Sequence, residues 1–303
     1  MTLRATHYQL ANPELRGTIL AGLSGTLFGL MGFLGTKLFY LHFSVTNMLF
    51  WRFLIATLWI AGGMLISRKK FFQGNVNGVS LIKIFILGAI SYSGGSSFYF
   101  LACKQIGTGL AMVIFFSFPV FVTLFAWISG TWRMNRYALA ALAAVMLGLI
   151  FLKGRGETTI ALNGVILAII AAFCFASYVY GSKHTTRNMD SGLLALLVCL
   201  GNTMIFLALS LYTRSFIFPD TFMAWLYICA IAIVATALPI QLLLDGLKYI
   251  SPVKASILSV LEPVVTLLVG MAMLNETMSA MQALGVMIVL LGAILIQFEK
   301  REC

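Results

Sequence analysis

Long apolar stretches alternate with short polar links along the whole chain. A helix that crosses a bilayer needs about 20 mostly apolar residues, and ten stretches of roughly this kind can be read from the pattern. They lie near residues 17–38, 43–66, 82–103, 108–130, 137–153, 163–184, 192–213, 223–246, 252–274 and 278–298. The links hold turn-forming residues, such as GNVNG at 74–78. The pattern therefore predicts an all-α integral membrane protein with ten transmembrane helices.

Composition agrees with a membrane location. The chain is 61% hydrophobic and 10% charged, whereas a soluble domain carries about 25% charged residues. Cytoplasmic loops of membrane proteins are rich in Lys and Arg, and the predicted spans leave thirteen of these residues on the side of the termini and four on the other. We therefore predict cytoplasmic segments at 1–16 and 299–303, in a protein of the cell (inner) membrane.

The net charge of +11 is explained by this bias, so no nucleic-acid partner is predicted. The polar first 16 residues have no apolar core before a cleavage site, and no cleaved signal peptide is predicted. The five cysteines show no CxxC or Cys/His ligand spacing, which favours buried thiols. No metal and no cofactor is predicted.

The two halves of the chain resemble each other. Residues 103–121 align with 247–265 at a constant offset, which places Lys104 on Lys248 and Pro119 on Pro263. Each half holds five predicted spans, and because five is odd, the second half must be inverted in the membrane. We predict repeat 1 at 17–153, a linker at 154–163 and repeat 2 at 164–298. Inverted repeats are a common plan of secondary transporters, with the substrate site near the midplane.

Two stretches carry a family resemblance. LEPVVTLLVGMAMLNETMSAMQALGVMIVLLGAIL at 261–295 and FWRFLIATL at 50–58 resemble the EamA-like branch of the drug/metabolite transporter superfamily. The matching residues are Arg52, Glu262, Pro263, Glu276, Gln282, Gly285 and Gly292. Trp132 stands where the family often repeats the loop Glu in its first half. The resemblance implies a ten-helix transporter, in a family that carries amino acids, nucleotide-linked metabolites, vitamins and toxic compounds.

Glu262 lies in the middle of an apolar span. A charge there costs at least about 2.5–3.5 kcal/mol, so it normally faces a cavity or a partner. Helical spacing places it on a polar stripe with Ser259 and Thr266, and Pro263 frees the carbonyl of Ser259. Two roles stay open for the carboxylate: coupling to a proton or holding a substrate ammonium, and a structural bond between helices.

Other residues extend the candidate site. The third and eighth spans are interrupted at matching positions by Gly94-Gly95 and Leu238-Pro239, and such interruptions are typical of transporter binding sites. The predicted cavity residues are Phe33, Tyr92, Ser96, Tyr99, Phe115, Ser177, Tyr180, Gln241, Ser259 and Glu262. The predicted charged gate or coupling residues are Lys37, Arg52, His184, Asp245 and Lys254. The predicted hinges are Gly94, Gly95, Pro119, Pro239 and Pro263.

These features favour a secondary transporter that exports a small polar metabolite, such as an amino acid or a related compound, by alternating access. No Walker A pattern is present, which disfavours direct ATP drive. The first alternative is a multidrug exporter of lipophilic cations, which Glu262 and the aromatic residues would attract. An intramembrane enzyme finds little support, since there are three His and no HExxH. A non-transporting membrane receptor is a further alternative.

Overall fold

All regular structure in the described residues is helical. The computed structural model describes residues 13–66, 81–82, 85–133, 135–152, 161–186, 189–274 and 279–298. The α-helices are α1 (Pro13–Phe28), α2 (Met31–Tyr40), α3 (Val45–Ile66), α4 (Ser93–Phe115), α5 (Phe118–Ile128), α6 (Arg136–Leu152), α7 (Leu162–Thr186), α8 (Ser191–Tyr212), α9 (Phe222–Ala232), α10 (Leu238–Gly246), α11 (Pro252–Leu258), α12 (Leu261–Leu274) and α13 (Ala280–Leu295). The predicted tail, most of the predicted linker and residues 1–12 lie outside the described residues.

Many of these helices are long and apolar enough to cross a bilayer. Within the described residues there are seven such stretches: Pro13–Tyr40, Val45–Ile66, Leu110–Ile128, Leu162–Lys183, Ser191–Tyr212, Phe222–Gly246 and Pro252–Met273. The apolar helices α6 and α13 are shorter. Helical geometry in α4 continues to Phe115, past the boundary predicted near residue 103. Helices satisfy their own backbone hydrogen bonds, which lipid requires.

Several helices begin at a side chain that caps them. Asp190, Thr221, Ser251 and Ser279 each accept a hydrogen bond from a backbone N–H in the first turn of the helix that follows. These residues satisfy donors that a helix leaves without an internal partner. The polar residues of the short links therefore fix where α8, α9, α11 and α13 start.

Two long helical stretches are broken before a proline. Helix α4 ends at Phe115 and α5 starts at Phe118, before Pro119. Helix α11 ends at Leu258 and α12 starts at Leu261, before Pro263. The Ser259 carbonyl accepts a hydrogen bond from the Glu262 N–H at 3.0 Å. The turn itself therefore satisfies the carbonyl that the proline would leave free.

Two π-helical segments lie inside the bundle. Leu87–Tyr92 precedes α4, and Ile233–Ala237 joins α9 to α10. Asn202 of α8 donates to the Gly88 carbonyl at 3.1 Å, within the first segment. Wide turns of this kind are rare and occur frequently at functional sites.

Helix α6 packs against α13 with backbone against backbone. A Cβ added to Gly285 would lie 2.8 Å from the Gly148 carbonyl oxygen, and one added to Gly148 would lie 2.9 Å from the Gly285 carbonyl oxygen. Small residues allow such close approach between membrane helices. The other large contacts pair α1 with α10, α3 with α8 and α4 with α7.

Gly285→Ala is expected to destabilise the protein, because the new methyl group meets backbone that cannot move without separating α6 from α13. Overpacking of this kind costs about 1–3 kcal/mol. The matched control is Gly63→Ala, since a Cβ at Gly63 meets nothing within 4 Å. Thermal unfolding of the two purified variants in detergent measures the difference, and equal midpoints would contradict the contact.

Candidate functional site

A cavity of about 810 Å³ lies between α1, α2, α3, α4 and α12. Six of the ten predicted cavity residues line it: Phe33, Tyr92, Ser96, Tyr99, Phe115 and Glu262. Arg52, Gly95 and Pro263, predicted for charge or flexibility, line it as well. The structure thus brings residues from five predicted spans to one space.

The cavity reaches one end of the bundle. Its lining includes Ser44 just before α3, Leu152 at the last turn of α6 and Gln282 in the first turn of α13. Lys104, an exposed residue, also belongs to the lining. Arg52 and Glu262 lie further from these ends along their spans, so a solute entering past Ser44 and Gln282 would meet the charged residues last.

Glu262 occupies the first turn of α12, where the helix dipole favours a negative charge. Thr266 donates to the carbonyl oxygens of both Glu262 and Gly29 at 3.0 Å, which holds this turn against the end of α1. Among the described residues, no side chain donates a hydrogen bond to the Glu262 carboxylate. The carboxylate is also the only acidic group among the lining residues that the structure describes.

Aromatic rings form one wall of the cavity. The Phe115 ring lies 5.1 Å from that of Tyr99 and 5.4 Å from that of Phe175, measured between centroids. The Tyr92 ring lies 5.7 Å from that of Phe175. Such a wall suits apolar parts of a solute or a cation over a ring face.

Tyr99→Ala is expected to raise the KM for a transported solute roughly tenfold while the protein still folds, because a contacting ring contributes about 0.5–1.5 kcal/mol beyond burial. Tyr212→Ala is the control, since Tyr212 is 87% exposed and lies outside the cavity. Flux into proteoliposomes measures both variants. An unchanged KM for Tyr99→Ala would place the solute elsewhere.

The opposite end of the bundle is held closed by polar contacts. Lys254, with a side chain 4% exposed, lies 2.7 Å from the Glu14 carboxylate. Lys183 donates to the carbonyls of Leu247 and Ile250, at 2.5 and 2.9 Å. Asp245 accepts hydrogen bonds from Ser191 and Lys248. We call the contacts of Glu14, Lys183, Ser191, Asp245, Lys248 and Lys254 the closed end.

Four predicted cavity residues lie outside the cavity. Ser177 and Tyr180 line a separate groove of about 330 Å³, where the Tyr180 hydroxyl lies 2.5 Å from that of Ser129. Ser259 is buried and donates to the Ala255 carbonyl. Gln241 is half-buried in α10.

The predicted charged residues fall in different places. Arg52 lines the cavity, whereas Asp245 and Lys254 belong to the closed end. The Lys37 ammonium lies 5.4 Å from the centroid of the Phe33 ring. The side chain of His184 and the whole of Glu276 lie outside the described residues.

The predicted hinges lie at tight contacts. A Cβ on Gly94 would lie 3.2 Å from the Cys174 sulfur, and one on Gly95 would lie 3.4 Å from the Phe175 Cβ. The Pro239 carbonyl accepts a hydrogen bond from Ser24 at 2.7 Å. Pro119 is buried at the start of α5.

Thr236, Phe175 and Lys104 were not among the predicted site residues. Thr236 accepts a hydrogen bond from Arg52, and a hydroxyl shortly before Leu238-Pro239 in an apolar span was the available signal. Nothing in the sequence distinguishes Phe175 from the many aromatic residues that face lipid, so it could not be predicted as a cavity residue. No group of three or more His, Cys, Asp or Glu residues in the described part could hold a metal ion.

Comparison with known proteins agrees with this fold. The model of the EamA-like transporter family matches the chain twice, at residues 15–153 and 162–298. A solved structure, named only as the crystal structure of a protein, covers 92% of this chain and 95% of its own, with a TM-score of 0.78 at 17% identity. That likeness concerns the fold alone.

Several relatives are named as transporters. The uncharacterized transporter YcbK of Bacillus subtilis (strain 168) is 25% identical over 61% of this chain and 62% of its own length. The threonine/homoserine exporter RhtA of Escherichia coli (strain K12) is 25% identical over 68% of this chain and 66% of its own. Protein PecM of Dickeya dadantii (strain 3937) is 24% identical over 73% of this chain and 77% of its own. The double match, which covers nearly the whole chain, shows that the protein belongs to the EamA-like transporter family of the drug/metabolite transporter superfamily and is a multi-pass membrane protein.

Proposed function

We propose that the protein is a secondary transporter that exports an amino acid or a related small zwitterion by alternating access. The observation that carries this proposal is the cavity of about 810 Å³, which holds one carboxylate, Glu262, and one buried guanidinium, Arg52. Cavities that bind small molecules usually combine apolar walls with a few placed polar groups. The exporter RhtA, named for threonine and homoserine, is a distant relative with substrates of this chemical class.

We further propose ten spans in two inverted repeats, 17–153 and 164–298. The double family match supports this division. So do the helix breaks before Pro119 and Pro263, which are equivalent in the predicted alignment, and the π-helical segments in the third and eighth predicted spans. The contact of α1 with α10 has its counterpart in that of α7 with α4, as an inverted pair requires.

In this arrangement both termini lie on the cytoplasmic side of the inner membrane. Ser44, Leu152 and Gln282 then lie at the outer surface, so the cavity opens outward and the closed end faces the cytoplasm. An impermeant reagent should leave a tag appended after Cys303 unmodified in intact cells and modify it after lysis. Modification in intact cells would contradict the orientation.

A second function, export of lipophilic cations, is favoured by the aromatic wall together with Glu262. A quaternary ammonium group would meet the carboxylate and the ring faces. Arg52 argues against it, because a fixed positive charge in the same cavity repels a cation. A zwitterion meets both charges favourably.

A thermal-shift screen of the purified protein separates the two functions. Amino acids, quaternary cations, nucleosides and vitamins are compared, and compounds that stabilise the protein are followed by flux in liposomes. We expect stabilisation by at least one group of amino acids, since a ligand that binds only the folded state stabilises it. Stabilisation and flux by quaternary cations alone would support the second function and overturn the first.

A further inference from the structure

Arg52 is a buried cation without an anionic partner in contact. It is 1% exposed, in the middle of α3. Its Nη1 contacts the Met31 sulfur at 2.8 Å, its guanidinium carbon lies 4.9 Å from the Phe53 ring centroid, and its Nη2 has no hydrogen-bond partner in the described structure. The two ion pairs found among the described residues both lie at the closed end. A guanidinium so placed has lost hydration that these contacts replace only in part.

Thr236 fixes the other edge of this guanidinium. The Arg52 Nε donates to the Thr236 hydroxyl oxygen at 2.5 Å. That hydroxyl donates its own proton to the Ile231 carbonyl, five residues back, at 2.8 Å. Because its proton is committed to the Ile231 carbonyl of α9, Thr236 acts toward Arg52 as an acceptor only. The segment thus holds Nε, while Nη2 stays buried without a hydrogen-bond partner in the described structure.

The charges around the cavity select the ligand that would bind there. Among the lining residues in the described part of the chain the charged groups are Arg52, Lys104 and Glu262, and Lys104 is exposed, as expected near the mouth. A phosphate dianion at Arg52 would be repelled by Glu262, whereas a zwitterion would have its carboxylate attracted by Arg52 and its ammonium by Glu262. Arginine recognises carboxylates through paired N–H donors.

We propose that Arg52, oriented by Thr236, is the carboxylate-binding residue of the cavity, and that the substrate is an α-amino acid whose ammonium binds Glu262. This assignment rests on the proposed function and specifies its substrate. Thr236 acts through Arg52 and is a positioning residue. The aromatic wall of Tyr99, Phe115 and Phe175 then receives the substrate side chain.

Three matched ligands test the assignment: the amino acid that stabilises the protein most, the amino alcohol that lacks its carboxylate, and the acid that lacks its ammonium. Calorimetric binding to the purified full chain gives the ratio of affinities. The wild-type protein is expected to prefer the amino acid over the amino alcohol roughly tenfold to a hundredfold, since a hydrogen bond to a charged group contributes about 1.5–3 kcal/mol. Arg52→Gln should remove this preference, and amino-alcohol affinity should not fall, because the variant loses a positive charge that repels the cationic alcohol.

Thr236→Val keeps the Arg52 charge and removes only its acceptor, so it tests the assignment even if Arg52→Gln does not fold. We expect it to lower the preference several-fold. Thr57→Val is the control, because Thr57 lies in α3 with Arg52, is buried and donates to the Phe53 carbonyl. It does not line the cavity. If both variants fold and keep the full preference for the amino acid over the amino alcohol, the assignment is overturned. The same holds if Thr236→Val is the only variant that folds and it keeps the full preference. Either result would leave the proposed transport of amino acids standing. A wild-type protein that binds no amino acid would overturn the proposed function itself.

Discussion

Glu262→Gln is expected to lower transport of an amino acid roughly 30-fold or more while the protein keeps its wild-type thermal stability. The carboxylate lines the cavity, and no described side chain donates to it, so its loss removes a contact to the substrate and leaves no protein group newly unpaired. Losing one partner of a desolvated charge pair costs about 2–5 kcal/mol or more, and each 1.4 kcal/mol is tenfold. Flux in proteoliposomes and thermal unfolding measure the two quantities.

Two further variants sharpen this test. Ser259→Ala, one turn away on a buried residue outside the cavity, should transport normally. Glu262→Leu should be about as stable as Glu262→Gln. If Glu262 instead makes a structural bond, Glu262→Gln keeps most transport and Glu262→Leu is destabilised by roughly 1–3 kcal/mol or more.

The same variant decides whether Glu262 carries a coupling proton. A glutamine has no proton to exchange, so any residual flux would lose its response to a pH gradient. Flux that still responds to the gradient in Glu262→Gln would assign proton coupling to another residue.

Glu14→Ala is expected to destabilise the protein by about 2–4 kcal/mol, because it leaves the Lys254 ammonium buried without its partner. Lys254→Met should be nearly neutral, since it replaces a buried charge by an apolar chain of similar length and leaves Glu14, 30% exposed in its side chain, accessible to water. The double variant Glu14→Ala/Lys254→Met should therefore recover most of the stability lost in Glu14→Ala. Thermal unfolding of the four proteins gives the full cycle.

The matched control uses the more exposed ion pair of the closed end. The side chains of Lys248 and Asp245 are 27% and 41% exposed, and such pairs contribute about 0–1 kcal/mol. Lys248→Met should therefore change stability much less than Glu14→Ala. Equal losses would show that the buried pair has no special role.

The sequence predicted those features that depend on local pattern. Apolar length placed Val45–Ile66 and Ser191–Tyr212 within about two residues of their predicted spans, because bilayer thickness fixes helix length. Because a charge in lipid is costly, Arg52 and Glu262 were predicted as site residues, and both line the cavity.

Contacts between distant parts of the chain could not be predicted from the sequence pattern. Lys254 was predicted as a gate or coupling residue, but its ion pair with Glu14 joins residues 240 positions apart. Thr236 lies in the π-helical segment Ile233–Ala237 and accepts a hydrogen bond from Arg52, 184 positions earlier in the chain. GTILA at 17–21 resembles GVILA at 164–168, 147 positions later, and this offset aligns Phe33 with Tyr180, yet only Phe33 lines the cavity. In the proposed alternating-access cycle, Phe33 and Tyr180 differ because the structure shows one conformation, in which the cavity is open at one end only.

Counterflow in proteoliposomes tests the proposed carrier function most directly. Vesicles loaded with an unlabelled amino acid that stabilises the protein are diluted into a trace of the same labelled compound. A carrier with one cavity that opens alternately to each side should accumulate the label transiently above its equilibrium level, and Arg52→Gln and Glu262→Gln should abolish this overshoot. Uptake that never exceeds equilibrium, or an overshoot seen only with quaternary cations, would contradict an alternating-access transporter of amino acids.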